Sequence, residues 1–573
     1  MRPIFHRLSL SLLLVCAVLG CAAPPRTQTG SSADVTTPRS TISKRIVAGA
    51  LGEPGALGAN IDALGIPVPA LGSVVNLISA GLTRQNDRGA FIPELADAVP
   101  SIENGLWKLL PDGRMETTWR IREGARWHDG TAITAEDVRF TAAVLQDKEL
   151  ATFRDPMLDL VEAVETPDAR TITLRWTRPF IEADAMFSGS RAVPLPRHLL
   201  EEAYRTDKAT FAQLPFWTEQ FVGNGPFKLR EWFRGSHMIF DANADYALGR
   251  PKLDEIELRF FTDPSTLVAN LLSGSVEVTM SRSLSLEQAM EIRDQWAAQR
   301  KGGSMKPALT SWIVIFPQLH TPSPAVIGDA RFRRALLTAI DRQALVDTLQ
   351  FGSVPIAHTF VAPGAIEYDA VSSSIVQYDY DPTRAARLLE EMGFQRGSDG
   401  GIRDAGNERL SVEIRASTVD INQKSMFAVA DNWHRVGIAS ETVAIPPQRI
   451  RDQEYVATMP GFLVYRNPND LRYVQNLRST RTPLPENNFQ ASGNISRYMN
   501  AELDSLVDRY AATIPMSERL RSLSDVVHHV TDQVTMMGLF FNNDPVVVSD
   551  RVLHVTAALQ GSSAWNAYEW DTR

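Results

Sequence analysis

Apolar and polar side chains alternate along Thr117-Thr118-Trp119-Arg120-Ile121-Arg122, the period of a strand with one buried face. His128-Asp129-Gly130 follows with a tight-turn composition. Thr134-Ala135-Glu136-Asp137 then has the spacing of a capping box: the Thr134 hydroxyl can accept from unpaired amides, and the acidic groups face the positive end of a helix expected to run from Val138. Upstream, Lys44 to Ala50 reads as a strand, Gly52 to Gly72 as a long loop rich in Gly, Pro and Ala, and Val74 to Leu82 as helix-like. Downstream, Thr171-Ile172-Thr173-Leu174-Arg175-Trp176 alternates as a second strand, Gly223 to Leu229 turns into a third, and Glu257 to Phe261 forms a fourth. Phe332, Ala335, Leu336, Ala339 and Ile340 make one apolar stripe and predict a single helix from Asp329 to Val346. Arg331, Arg333 and Arg334 form its solvated or salt-bridged face. Asp381-Pro382 caps a further helix with Ala385, Ala386, Leu388, Leu389 and Met392 inward, and Gly393 stops it.

The first residues follow a different pattern. Arg2 and Arg7 precede an apolar run, Leu8 to Gly20, that is too short for a permanent membrane span and has the form of a signal peptide. It ends in Val18-Leu19-Gly20-Cys21, which resembles a bacterial lipobox; that resemblance implies cleavage before Cys21 and acylation of its thiol. Cys16 and Cys21 are the only cysteines, so the body is expected to have neither a disulfide nor a thiolate metal site. Ala22 to Ser43, rich in Pro, Ser, Thr and Gly, reads as a flexible tether. With 573 residues and 44% hydrophobic composition, the rest can build several cores. A formal net charge of −9 gives no general attraction to nucleic acid.

The order of Trp strand, Trp127-His128-Asp129-Gly130 turn and Thr134-Ala135-Glu136-Asp137-Val138 helix start resembles the signature of the family 5 bacterial extracellular solute-binding proteins, receptors of oligopeptide and dipeptide ABC importers. Trp119, Trp127 and the capping box read as fold-forming rather than ligand-contacting. Further blocks resemble the family in its order: Pro93-Glu94-Leu95-Ala96, Gly223 to Leu229, Leu272 to Glu277, Ala339-Ile340-Asp341-Arg342, and the closing Gly538 to Phe541 and Trp565 to Asp571. Ala132 and Gly538 stand where the family often has Pro, and Glu277 where it has Asp. The resemblance implies an α/β, periplasmic-binding-protein-like fold of the large peptide-receptor type (class II), with two main lobes, a hinge and an extra α/β lobe. The expected division is signal peptide 1–20, lipidated cysteine and tether 21–43, a discontinuous first lobe 44–80 with 216–305 and 536–573, an inserted lobe 81–215, and a second large lobe 306–535.

In this fold ligands sit between lobes, held by backbone groups, aromatic walls and a few charges. Trp312, on Ser311 to Phe316, and Tyr465, Arg466, Asn467 and Asp470, on Phe462 to Asp470, are the candidate contacts. Relatives carry an acidic residue in the second stretch that pairs with a peptide ammonium group. Here Arg466 stands in its place, and a guanidinium would favour an anionic ligand or a peptide carboxylate unless it serves a surface or interlobe salt bridge. Trp312 and Tyr465 are balanced between cavity wall and core. His434, His528 and His529 lie in helix-like segments without HExxH spacing, so neither a metal nor a cofactor is expected.

The expected function is substrate-binding lipoprotein of an ABC importer, a monomer anchored by its lipid in the cell envelope, on the periplasmic side or the outer face of the cytoplasmic membrane. Its expected partners are a peptide or small-molecule ligand and the permease subunits. The sequence carries no GxSxG, HExxH or isolated acid pair to favour an enzyme, although a cell-surface hydrolase remains one alternative reading. A receptor for a non-peptide anionic solute serving signalling is the other.

Overall fold

The structure, a computed structural model, describes residues 43–58, 68–189, 191–490, 493–559 and 562–573. The signal peptide, Cys21 and the tether up to residue 42 lie outside the described residues.

Three sheets organise the body. The seven-stranded sheet runs, from edge to edge, through Gly303–Lys306, Val546–Ser549, Val278–Thr279, Arg45–Leu51, Glu255–Phe261, His237–Ala242 and Phe227–Phe233. Arg45–Leu51 is parallel to both neighbours and buried at Ile46 and Ala48, as a central strand should be. The four-stranded sheet, Trp107–Leu109, Met115–Arg120, Thr171–Trp176 and Val161–Glu165, is antiparallel throughout. Its alternation is clean: Met115, Thr117 and Trp119 face inward together with Ile172, Leu174 and Trp176. The five-stranded sheet is ordered Ala439–Ala444, Ser411–Ala416, Phe462–Pro468, Leu309–Pro317 and Met537–Asn543.

The chain passes between the seven- and five-stranded sheets twice, from Lys306 to Leu309 and from Asn543 to Val546. The two crossings are tied together, the Asp544 amide donating to the Ala308 carbonyl at 2.8 Å and the Ala308 amide to Asn543 Oδ1 at 3.0 Å. Met537–Asn543, at the start of the segment 536–573 assigned by sequence to the first lobe, is an edge strand of the five-stranded sheet, paired with Leu309–Pro317.

Six tryptophans, Trp119, Trp127, Trp176, Trp312, Trp433 and Trp570, are almost wholly buried. Each removes enough apolar surface from water to contribute about 4–6 kcal/mol before conformational entropy is subtracted. The capping box is formed: the Thr134 amide donates to Asp137 Oδ2 at 2.8 Å, and the helix runs over Ala135–Gln146. His128 accepts from the Gly223 amide at 3.2 Å through Nδ1 and faces the Gly225 carbonyl at 3.1 Å through Nε2, which fixes the Nε2–H tautomer. The Trp-His-Asp-Gly turn is thereby stapled to the strand start at Gly223–Phe227.

Three local expectations change. The helix expected over Val74 to Leu82 is Pro69–Ile78: it opens inside the stretch that reads as loop and ends before Leu82. The helix expected from Asp329 to Val346 is two, Ala330–Thr338 and Arg342–Leu349, because the Asp341 side chain accepts from the Ala344 amide at 2.9 Å and starts a new cap. Arg333 is not on a solvated face but buried, donating to the carbonyls of Gln533, Ile327 and Val534 at 2.6, 2.7 and 3.0 Å.

Candidate functional site

The antiparallel pairing of Leu309–Pro317 with Phe462–Pro468 sets Trp312 opposite Asn467, Ile313 opposite Arg466 and Val314 opposite Tyr465. Asn467 is 5% exposed and Trp312 1%, both buried. Its ring explains Gly538 on the neighbouring strand: a Cβ there would lie 2.8 Å from the indole and 2.1 Å from the Ala357 carbonyl oxygen. Tyr465 is exposed at 38%, its ring 6.5 Å from that of Phe316.

Arg466 is engaged at the sheet crossing. Its Nε donates to Ser311 Oγ at 2.9 Å, and its Nη2 pairs with Asp544. Asp544 accepts in addition from the Thr310 hydroxyl and, at 3.0 Å, from Asn542 Nδ2. Arg282 lies in the turn after Val278–Thr279, its backbone in the left-handed region at φ 60°. Burial, and then the Arg466 charge, hold the Arg282 guanidinium below its ordinary pKa, with Asp544 opposing the shift. One carboxylate thus acts on two guanidinium groups.

Asp470 leads elsewhere. It caps the short helix Leu471–Leu477, accepting from the Arg472 amide at 2.9 Å, and it lines a cavity of about 290 Å³. Its lining includes Arg88, Phe91, Ile181 and Asp184 and, from later in the chain, Glu367, Asp470, Tyr510 and Arg519. The segment around Asp184 is held by the Thr83 hydroxyl, which donates to the Asp184 carbonyl at 3.0 Å, and by the Leu82 amide, which donates to the Phe187 carbonyl at 2.7 Å. Arg519, in the first turn of the helix Met516–Asp532, reaches across to the Ile181 carbonyl at 3.3 Å.

The charges of the cavity are unevenly matched. Glu182 is neutralised by Arg191 and Asp470 by Arg472. Among the described residues, Asp184 and Glu367 have no ion-pair partner, and Arg519 bonds a carbonyl and a thioether but no carboxylate. Burial pushes Asp184 up to about 6, with Arg519 opposing the shift and Glu182 adding to it. Burial also raises Glu367, again against the pull of Arg519, and drives Tyr510 well above its ordinary range. Of the five sequence candidates only Asp470 reaches this cavity. Asp184, Glu367 and Arg519 escape sequence reasoning because they are far apart along the chain. Asp184 carries one signal, shared with Glu182: the two acids interrupt the apolar run from Phe180 to Phe187. Among the described residues no group of His, Cys, Asp or Glu is placed to hold a metal ion, and no helix is long and apolar enough to cross a membrane.

The model of the bacterial extracellular solute-binding proteins, family 5 (middle region), matches residues 91–482. The chain belongs to this family. This solute-binding protein is 21% identical over 553 residues to the oligopeptide-binding protein AppA of Bacillus subtilis, covering 95% of this chain and 94% of that one. It is 26% identical over 295 residues to a putative ABC transporter peptide-binding protein of Brucella ovis, and that match spans about half of each chain, 51% of both. Among solved structures, NikZ of Campylobacter jejuni, in complex with Ni(L-His), superposes with a TM-score of 0.70 at 19% identity, over 93% of this chain and 100% of that one. The architecture is therefore that of the family 5 solute-binding proteins.

Proposed function

We propose that this family 5 solute-binding protein is the substrate receptor of an ABC importer, which captures a peptide or related small solute in the 290 Å³ cavity and hands it to the membrane permease. The cavity carries this reading. Its walls come from chain segments around residues 85–91 and 181–185 on one side and 366–523 on the other, so relative movement about the crossings at Lys306–Leu309 and Asn543–Val546 would open and close it. In this proposal the three sheets mark three lobes, and the Arg466–Asp544 pair steadies the hinge. For Arg466 to anchor an anionic ligand instead, Asp544 would have to release it. Cys21 is proposed to carry the lipid that keeps the receptor, as a monomer, at the cell envelope.

Relatives differ in cargo: AppA is named for oligopeptides, and NikZ holds a nickel complex of histidine. The fold alone therefore leaves the cargo open. Capture requires no bond to break, and among the described residues the cavity lining carries no Ser, Thr, Cys, Lys or His. Native mass spectrometry of the purified full chain tests the reading. A small molecule that co-purifies and is recovered intact is the expected result; steady turnover of a bound compound would instead make the protein a hydrolase.

A further inference from the structure

We infer that Lys424 and Glu287 form a clasp that holds the seven- and five-stranded sheets closed on each other, an inference that rests on the proposed movement about the two crossings. Lys424, in the helix Asp420–Arg435, donates through Nζ to Glu287 Oε1 at 2.9 Å, and Glu287 lies in the first turn of the helix Leu286–Ala298. The two helices belong to different sheets. Ala289, Ile292 and Trp296 of the latter pack in one apolar cluster with Val547 and Met305 of the seven-stranded sheet. Trp433 of the former has its ring 5.0 Å from that of Phe462 in the five-stranded sheet.

The topology sets this bond across the gap between the sheets. Gly303–Lys306 and Val546–Ser549, which lead into and out of the crossings, form one edge of the seven-stranded sheet; Leu309–Pro317 and Met537–Asn543 form one edge of the five-stranded sheet. Leu286–Ala298 follows the next strand inward, Val278–Thr279, and Asp420–Arg435 follows Ser411–Ala416, two strands in from Leu309–Pro317. Val278–Thr279 is antiparallel to Val546–Ser549, which starts at a crossing, and Ser411–Ala416 is parallel to Phe462–Pro468, whose last residue pairs with Ser311 beside the other crossing. Both strands therefore end toward the opposite sheet. At about 4.8 Å per strand, the helix carrying Lys424 starts about 10 Å to one side of the crossings, so rotation about them draws the pair apart.

The pair is built to part and to form again. Asp420, one turn before Lys424, binds the same ammonium group at 2.8 Å, so Lys424 keeps a partner when Glu287 departs. Glu287 is not needed to cap its own helix, because Ser285 and Gln288 cap each other: the Gln288 amide donates to Ser285 Oγ at 3.2 Å and the Ser285 amide to Gln288 Oε1 at 3.0 Å. The side chains of Lys424 and Glu287 are 38% and 52% exposed. A pair so exposed shifts an equilibrium by about 1.5- to 5-fold and is weakened by salt, which tunes closure without fixing it.

Hydrogen–deuterium exchange of the ligand-free full chain, read by mass spectrometry, tests the clasp at the cavity segments 85–91 and 181–185, which belong to neither helix. Lys424→Met and Glu287→Gln should each raise exchange there about 1.5- to 5-fold at low ionic strength. The difference from the wild type should vanish near 1 M salt, where the Debye length is about 3 Å. The swapped variant Glu287→Lys/Lys424→Glu should return to wild-type exchange. Asp420→Asn should leave exchange at or below the wild-type value, because Glu287 then holds the ammonium group alone. Unchanged exchange at these segments in Lys424→Met and Glu287→Gln, or a swapped pair no closer to the wild type than Lys424→Glu alone, would overturn the clasp and leave the receptor reading standing. Asp420→Asn as open as Lys424→Met would overturn it too, by showing that the stability of the helix start is what moves the cavity. The receptor reading fails separately, through turnover of the solute that co-purifies.

Discussion

At the scale of single residues, two partly buried groups make opposite and separable contributions to stability. His128 is neutral in the fold because burial lowers its pKa to about 4, against an ordinary value of 6.5. Its contribution is complete above pH 6.5 and is lost as the pH falls towards 4, because the unfolded chain binds the proton first; the size is about 2–3 kcal/mol. Asp184 runs the other way. Its pKa of about 6 means that the folded chain takes up the proton first, so the contribution is present below pH 4 and disappears as the pH rises through 6. Asp184→Asn should therefore raise the stability of the ligand-free protein at pH 7.5 by about 1–3 kcal/mol and leave it unchanged at pH 3.5. His128→Gln should lower it at pH 7.5 and converge on the wild type near pH 4. Urea midpoints of the three proteins across this range decide both, and a destabilised Asp184→Asn at pH 7.5 would show that the carboxylate is satisfied after all. A gain in stability joined to a loss of ligand is what a binding residue gives, since binding groups are placed for the ligand rather than for the fold.

Elements were legible where a short-range rule decides them, and obscure where a distant partner does. Thr171–Trp176 alternates and Pro382–Glu391 has its cap and its stop, so both could be read directly from the chain. The Gly223-Asn224-Gly225 stretch shows only a turn in sequence. Its purpose is the end of the helix Pro69–Ile78: the amides of Asn224 and Gly225 donate to the Ile78 carbonyl at 3.1 and 3.0 Å, and the Asn224 side chain bonds the Ala80 amide at 2.7 Å and the Ala80 carbonyl at 3.0 Å. A Cβ on Gly225 would come within 2.4 Å of that helix end, so glycine is required by the approach. Asn224→Ala removes both buried partners of Ala80 and should cost about 2–4 kcal/mol, measurable as a fall in the urea midpoint. A change below about 0.5 kcal/mol would mean that water replaces the amide there. The same distinction explains the split helix. An apolar stripe continues from Phe332 to Ile340 and predicts one element, whereas Arg342 is buried and donates to the Gly538 carbonyl at 3.1 Å, a contact made across some two hundred residues of chain. The site divides likewise: Asp470 could be named from its stretch, but Asp184, Glu367 and Arg519 meet only once the chain has folded.

At the scale of the whole molecule, the seven- and five-stranded sheets are joined by two short crossings, and the charges beside those crossings set how rigid the junction is. Asp544 pairs with Arg466 and also acts on the charge of Arg282, in the turn after Val278–Thr279, its oxygens held further by Thr310 and Asn542. Removing this carboxylate leaves two guanidinium groups facing each other in a half-buried place, and an uncompensated buried charge costs about 3–5 kcal/mol. Removing Arg466 leaves one acid and one base, Asp544 and Arg282, which can pair. Asp544→Ala should therefore destabilise the protein by several kcal/mol or relieve the repulsion by separating the sheets, and small-angle X-ray scattering would record the latter as a larger radius of gyration. Arg466→Met should be milder on both measures, at about 1–2 kcal/mol, because the remaining pair stays neutral. Equal effects of the two substitutions would mean that Arg282 does not share Asp544. The double variant Asp544→Ala/Arg466→Met should recover part of the loss of Asp544→Ala, since it removes one of the two guanidinium groups that the single variant leaves facing each other.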